Sequence, residues 1–396
     1  MILCLDLLLL VLGLPVLAAA SYLFLATLLS SRPPVPARGP TERRFRFIVP
    51  AHNESAGIAA TVQSLLSVDY PRALFDVLVV ADNCQDDTAE QARRAGAVVL
   101  ERHDTQRRGK GYALLLAFSE LPPEVDAVVV VDADTLISSN LLWAFAARRD
   151  LGAVAAQADY AVRNPNASWR TRLIAIAFGA FHIVRSRARE RLGLSCGLRG
   201  NGMCFSAQIL AQVPHNAFSI VEDVEYGLRL GEAGHRVHYA DEAHVYGEMV
   251  TTAAAATSQR RRWEEGRKEL VKRNAVRLLR EGFARRNRVL FDLALDLLVP
   301  PLSRIAVASL VGALAAFALS VWSRSATLSG VSFGFCLVAV ALYVLRGWTV
   351  SGTGARGLLD LCLAPVYVAW KASLRFRRVT RPTSSWVRTE REKKSD

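Results

Sequence analysis

The chain has 396 residues, 52% of them hydrophobic, and a formal net charge of +13. Its mean hydropathy of +0.21 is high for a wholly soluble protein, so membrane segments are expected and the basic excess points toward anionic lipid or a phosphorylated substrate. The six cysteines (Cys4, Cys84, Cys196, Cys204, Cys336 and Cys362) form no C-x-x-C pair, which argues against a zinc site.

Residues 1–30 are long and apolar enough to span a bilayer, which takes ~20 residues. The run has no basic segment before it and exceeds the core of a signal peptide, so a membrane anchor is expected, although Ala18–Ala20 resembles a cleavage site. Arg32, Arg38, Arg43, Arg44 and Arg46 follow, and the positive-inside rule then puts the next domain in the cytoplasm. Over residues 45–270 apolar strands alternate with helical periods. The expected strands are FRFIVPAHNE, FDVLVVADNC, AVVLER and Asp126–Asp132, and the expected helices are Ser55–Leu66, Asp87–Ala95 and Gly111–Glu120. Such alternation predicts an α/β domain with a mostly parallel sheet.

Beyond it, Trp169–Arg191 reads as one long helix and Gly197–Ser206 as a loop and strand. Glu222–Gly231 reads as a helix and HRVHYADEAHVYGE as strand. Ser258–Arg288 is strongly basic, and residues 271–300 are expected at the membrane interface. Two spans are expected within 301–349, at Ile305–Trp322 and Val331–Leu345. Residues 357–370 are too short to cross comfortably and read as re-entrant or interfacial, and the basic tail 371–396 returns to the cytoplasm. Because the charge clusters beside apolar segments and not along a groove with interleaved aromatics, a nucleic-acid partner is discounted and membrane lipid is expected.

In open parallel sheets ligands sit beyond the carboxyl ends of the strands. There stand Pro50, Ala51, His52, Asn53 and Glu54, then Asp82 and Asn83, then Asp132 and Asp134 after a run of valines. The last two form D-x-D. Alternate side chains of an extended segment share a face, and two carboxylates there repel unless a cation lies between them. Hard oxygens suit Mg²⁺ or Mn²⁺, which in turn hold phosphate. Alone, D-x-D also fits two solvated loop aspartates. Lys110, between Gly109 and Gly111 at a helix start, is placed to reach a phosphate. The sequence has neither a G-x-x-x-x-G-K-[ST] loop nor a G-x-G-x-x-G turn at the first strand.

Six motifs occur in order: PAHNE (50–54), VVADNCQDDT (79–88), RRGKGYAL (107–114), VVDADT (130–135), VEDVEYGLRL (221–230) and QRRRW (259–263). Together they resemble a membrane-bound family 2 glycosyltransferase of GT-A fold, similar to bacterial exopolysaccharide transferases and to cellulose, chitin and hyaluronan synthases. The resemblance implies a UDP-sugar donor, a divalent metal (Mg²⁺ or Mn²⁺) and inversion at the anomeric carbon. Pro50, Ala51, Asn53, Glu54, Asp82, Lys110 and Asp132 would bind the nucleotide-sugar, and Asp134 with Asp132 the metal. Asp223 would be the catalytic base, with Glu222 beside it. Gln259, Arg262 and Trp263 match Q-x-x-R-W, implying a fork for pyrophosphate and a flat face for a sugar. Gly200 and Asn201 fall where the family has its acceptor-side loop.

The implied acceptor is a growing polysaccharide or a lipid-linked glycan at the inner membrane, with other polysaccharide-assembly proteins as partners. About three crossings are few for a polymer channel, so single-sugar transfer to a lipid is an alternative, as is a catalytically silent scaffold on the same fold.

Overall fold

A computed structural model describes residues 2–39, 43–249, 253–324 and 327–368, without the side chains of 253–263. The basic tail 371–396 lies outside the described residues. Eight strands form one sheet: β1 (Phe45–Ala51), β2 (Phe75–Asp82), β3 (Val98–Arg102), β4 (Ala127–Val130), β5 (Thr135–Ile137), β6 (Ala155–Val162), β7 (Met203–Ser206) and β8 (Val237–Gly247), in the order β3-β2-β1-β4-β7-β6-β8-β5. The neighbours from β3 to β4 are all parallel, so β1, β2 and β4 end at one edge. β7 runs antiparallel to β4 and β6, and β5 antiparallel to β8. The sheet is therefore mixed but mostly parallel in the half that carries the strand-end acids.

The valine run is explained by burial on both faces. Val129 and Val131 pack with Phe47, Val49, Ile58 and Phe145 on one side. Val128 and Val130 pack with Ile48, Leu114, Tyr226 and Tyr239 on the other. A central strand covered on both faces reads as continuous apolar sequence, and each fully buried valine contributes about 1.5–3 kcal/mol.

The sequence-expected helices appear as Ile58–Leu66, Thr88–Arg94, Lys110–Ser119 and Glu222–Glu232. Helix Leu141–Asp150 and β6, which sequence reading passed over, complete the middle of the domain. Trp169–Arg191 is not one regular helix: a π-helical segment, Gly179–Val184, separates Trp169–Phe178 from Arg185–Arg191. The basic region is the helix Ala253–Ala284, followed by the helix Arg288–Leu298. The second packs Leu290 and Leu293 against Leu228 on the helix Glu222–Glu232 and against Val221, which precedes that helix.

Three helices are long and apolar enough to cross a membrane: Ile2–Leu28, Leu302–Ser323 and Leu328–Ser351. The first and third are tied at both ends. The Asp6 carboxylate accepts the N–H groups of Leu328 and Ser329 at 3.0 and 3.1 Å. At the other end Arg346 donates to the Ser30 hydroxyl at 2.8 Å and carbonyl at 3.0 Å. These two helices therefore run in the same direction. The catalytic-type domain meets them closely, because a Cβ at Gly179 would lie 2.5 Å from the Gly347 carbonyl oxygen and one at Gly347 2.7 Å from Ala180 Cβ. Only glycine permits such backbone approach. Residues 354–363 form a short helical stretch, and Arg172 is paired to Asp360 there.

Candidate active site

The turn after β4 carries the two D-x-D aspartates. Asp132 and Asp134 are half-buried while Ala133 and Thr135 are buried, so both carboxylates leave the turn on its open side. Its backbone is fixed from three directions. Thr135 N–H donates to the Asp132 carbonyl at 3.2 Å, and the Thr61 hydroxyl donates to the Ala133 carbonyl at 2.9 Å. The Asn201 side chain accepts from Asp132 N–H at 3.1 Å and donates to the Thr135 hydroxyl at 2.8 Å. Asn201 is fully buried, so its amide is committed to this turn. Gln157, a lone glutamine in the apolar β6, holds the same loop by donating to the Asn201 carbonyl at 2.7 Å and accepting from Arg199 N–H at 2.9 Å.

Lys110 joins the turn to the opposite wall. Its Nζ lies 2.5 Å from Asp132 Oδ1 and 3.9 Å from Glu222 Oε1, and it also donates to the Gly200 carbonyl. Burial works against the ammonium, but Asp132, Glu222 and Asp223 outweigh it and raise its pKa above the ordinary lysine value. The flanking Gly111 lets the helix start press on its neighbour, since a Cβ there would collide with the Ala217 carbonyl oxygen.

Asp223 lies in the first turn of the helix Glu222–Glu232. Gly200 has φ +78°, and a Cβ built on it would sit 3.4 Å from Asp223 Oδ2 and 3.9 Å from Lys110 Nζ. Gly200, Asp223, Lys110 and Asp132 thus converge on one cleft. Burial raises the Asp223 carboxyl above its ordinary value, opposed by the Val224 N–H, Lys110 and Arg199. Burial pushes Glu222 up to about 8, with Asp223 and Asp132 adding repulsion and Lys110 opposing.

The strand-end residues of β1 and β2 form a second lobe of the cleft. Asp82 is 5% exposed, and its Oδ1 accepts from Arg102 at 2.7 Å and from Asn83 at 2.8 Å. Asn53 turns the chain with φ 55° and accepts from Gln85 N–H at 2.7 Å. Glu54 N–H donates to the Thr88 hydroxyl at 2.8 Å. Pro50 and Ala51 are the last residues of β1, paired with Val80 and Ala81. The His244 ring is bonded to Asp159 at 3.0 Å, and its backbone N–H donates to the hydroxyl of Ser138, just after β5.

Gln259, Arg262 and Trp263 fall on the helix Ala253–Ala284, and their side chains lie outside the described residues. Among the described residues no group of three or more His, Cys, Asp or Glu could hold a metal ion. Two carboxylates on the open side of a fixed turn suit a hard cation that keeps other positions for water and phosphate, as Mg²⁺ and Mn²⁺ do. Sequence reading missed Thr61, Gln157 and Arg199. Only Gln157 carried a signal, as a polar residue inside an apolar strand.

Residues 42–266 match the family described as glycosyltransferase-like family 2. The β-monoglucosyldiacylglycerol synthase of Trichormus variabilis is 31% identical over 229 residues, 56% of this chain and 48% of that protein. A poly-β-1,6-N-acetyl-D-glucosamine synthase of Staphylococcus aureus is 23% identical, over 58% of this chain and 55% of its own. The chain spans about half the length of these curated relatives. Among solved structures, a mannosyltransferase from Pyrobaculum calidifontis in complex with GDP-Man and Mn²⁺ superimposes with a TM-score of 0.55 at 20% identity, over 87% of this chain and 99% of that one. That likeness is one of fold, and the fold is the GT-A type. With its family match covering more than half of its length, the chain belongs to glycosyltransferase family 2.

Proposed function

We propose that this protein is an inverting glycosyltransferase that moves one sugar from a nucleoside-diphosphate sugar, a UDP-sugar first, onto a lipid acceptor at the cytoplasmic face of the inner membrane. The observation that carries this reading is the convergence of Asp132, Lys110, Gly200 and Asp223 in one cleft, on a domain packed directly against helices able to span a bilayer.

In this reading Asp82, fixed by Arg102 and Asn83, receives the base, and Asn53 and Glu54 shape the floor beside it. Asp134 and Asp132 hold a divalent cation, which when bound offsets charge on the donor's diphosphate. Lys110 neutralises the surrounding carboxylates and faces the same phosphates. Asp223 accepts the proton of the acceptor hydroxyl as its oxygen bonds to the anomeric carbon, while the bond from that carbon to the diphosphate breaks and the nucleoside diphosphate leaves with the electron pair. Attack and departure on opposite faces give inversion. Arg262 and Trp263 would serve the leaving diphosphate and the acceptor sugar. A lipid acceptor is supported by the synthase of a glucosyl lipid among the relatives. Chain extension is the second reading, supported by the polymer-forming relative and by Q-x-x-R-W at 259–263.

Nucleotide release by the detergent-purified protein tests this. UDP- and GDP-sugars are offered with Mn²⁺, Mg²⁺ or EDTA and a diacylglycerol or phosphatidylglycerol acceptor, each of which carries a free hydroxyl. Metal-dependent release from one donor, with one product mass, is expected. Release from no donor under any of these conditions would sink the proposal, and a ladder of product masses would favour chain extension.

A further inference from the structure

Beneath the acceptor side of the cleft lies a cluster of buried charge in which the cations outnumber the anions. Arg185 and Arg189 are 4% and 3% exposed. Arg185 bonds Asp296 at 3.0 Å, and Arg189 bonds Asp292 at 2.8 Å and approaches Asp296 at 3.3 Å. Arg267 has no carboxylate partner among the described residues and donates to the carbonyls of Asp296 at 2.6 Å and Val299 at 3.1 Å. Arg199 likewise has none. Its Nη2 donates to the Cys196 carbonyl at 3.0 Å, its guanidinium lies 4.3 Å from the Phe181 ring, and its buried Nε has no partner. Arg185 and Arg189 pair with the two carboxylates of Asp292 and Asp296, while Arg199 and Arg267, both half-buried, pair with none among the described residues. A half-buried guanidinium without a counter-ion is open to a further anion.

The place of the cluster says what anion. A Cβ at Gly197 would meet Arg199 Nη1 at 3.6 Å and Arg189 Nη1 at 3.8 Å, so both guanidiniums come up to the same side of Gly197. Gly197 lies three residues before Gly200, which touches Asp223. On its other side the cluster joins the membrane helices, through Tyr22 bonded to Asp292 at 3.3 Å and Tyr343 bonded to Arg185 at 2.9 Å. Tyr22 is about 9 Å from the end of its helix at 1.5 Å per residue. The planar fork of arginine matches phosphate oxygens.

Building on the transferase reading above, we infer that Arg199, with Arg189 and Arg267 behind it, binds the phosphate of a lipid acceptor and so holds that acceptor's hydroxyl against Asp223. Arg199 is a substrate-specificity residue in this assignment: phosphate-bearing lipids are accepted and neutral ones are not. Burial lowers the pKa of both Arg199 and Arg267, and a bound phosphate would relieve that penalty.

The test is binding of dodecyl phosphate to the full chain in a neutral detergent, beside dodecanol and inorganic phosphate. Saturable binding of dodecyl phosphate is expected, at least tenfold tighter than inorganic phosphate, with none for dodecanol. Arg199→Gln should weaken it at least tenfold and Arg199→Lys less, while Mn²⁺-dependent UDP binding stays unchanged in both and shows that they fold. Equal affinity in wild type and Arg199→Gln overturns the assignment. Dodecanol binding as tightly as dodecyl phosphate in the wild type overturns it without any variant. Inorganic phosphate binding as tightly as dodecyl phosphate removes the lipid as its source. Displacement of dodecyl phosphate by UDP assigns the arginines to the donor instead. Alkyl-phosphate binding in a protein that binds no nucleotide keeps the anion site but removes its role as acceptor site, so the two readings fail separately.

Discussion

The side-chain oxygen of Asn201 accepts the backbone N–H of Asp132 at 3.1 Å, which makes the loop bearing Gly200 and the turn bearing the D-x-D carboxylates one unit. Asn201→Ala strands that N–H and the Thr135 hydroxyl in a buried setting. A loss of about 1–3 kcal/mol is expected, read as a lower thermal midpoint in detergent. Metal-dependent nucleotide binding should weaken with it, because Asp132 and Asp134 lose their fixed separation. An unchanged midpoint would show that the turn is held without Asn201.

Asp223→Asn and Asp134→Ala should separate chemistry from binding. The first keeps the shape of the side chain but cannot take a proton. Nucleotide binding should be intact and transfer reduced ~10²–10⁴-fold. The second should lose the metal dependence of nucleotide binding. Transfer at near wild-type rate in Asp223→Asn would place the base elsewhere, and unchanged nucleotide affinity with Mn²⁺ in Asp134→Ala would move the metal.

Burial sets the pH range of the cleft and Lys110 opposes it. In the proposed reading transfer needs ionised Asp223, whose carboxyl is raised by burial beside Glu222, itself pushed up to about 8. Activity should therefore fall, as pH drops, above the ordinary carboxylate range. Lys110→Met removes the cation that favours both carboxylates, so the acid limb should move to higher pH. A limb that stays in place, or moves to lower pH, would separate Lys110 from the pair.

Glu222 also links stability to pH. A carboxyl whose folded pKa of about 8 exceeds its unfolded value favours the folded state when protonated. That contribution is complete below the unfolded pKa and is lost as pH rises through the folded one. Glu222→Gln should flatten the decline in thermal midpoint between pH 5 and pH 9. A decline of the same size in the variant would assign it to another group.

Asp6 acts at the membrane-facing end of the molecule. It accepts two N–H groups and the Ser329 hydroxyl at the start of Leu328–Ser351, which is the work of an N-cap from another helix. Asp6→Ala should cost ~1 kcal/mol or more and lower the thermal midpoint, with Asp6→Asn intermediate. A midpoint equal to that of the wild type would show that those groups find other partners.

The strand-end acids were legible because a parallel sheet puts the carboxyl ends of its strands on one edge, so Asp82 and Asp132 could be read from position alone. The three helices long and apolar enough to cross a membrane were legible from composition. The buried arginines were not. RSRARER reads as a solvated helix face, yet Arg185, Arg187 and Arg189 are 4%, 6% and 3% exposed, because their partners Asp241, Asp292 and Asp296 lie more than fifty residues away in sequence. No local pattern announces a long-range ion pair. The same holds for Asn201, whose place in a glycine-punctuated loop was readable while its bond across to Asp132 was not. The π-helical segment in Trp169–Arg191 was hidden because its residues keep helical periodicity on either side.

The contact of Gly179 with Gly347 seats the segment after β6 directly against the apolar helix Leu328–Ser351. Under the transferase reading with a lipid acceptor, that seat would set the altitude of the cleft above the bilayer. Selection among acceptors would then work partly as a ruler, in which the distance from a lipid's anchoring group to its reactive hydroxyl has to match the height of Asp223.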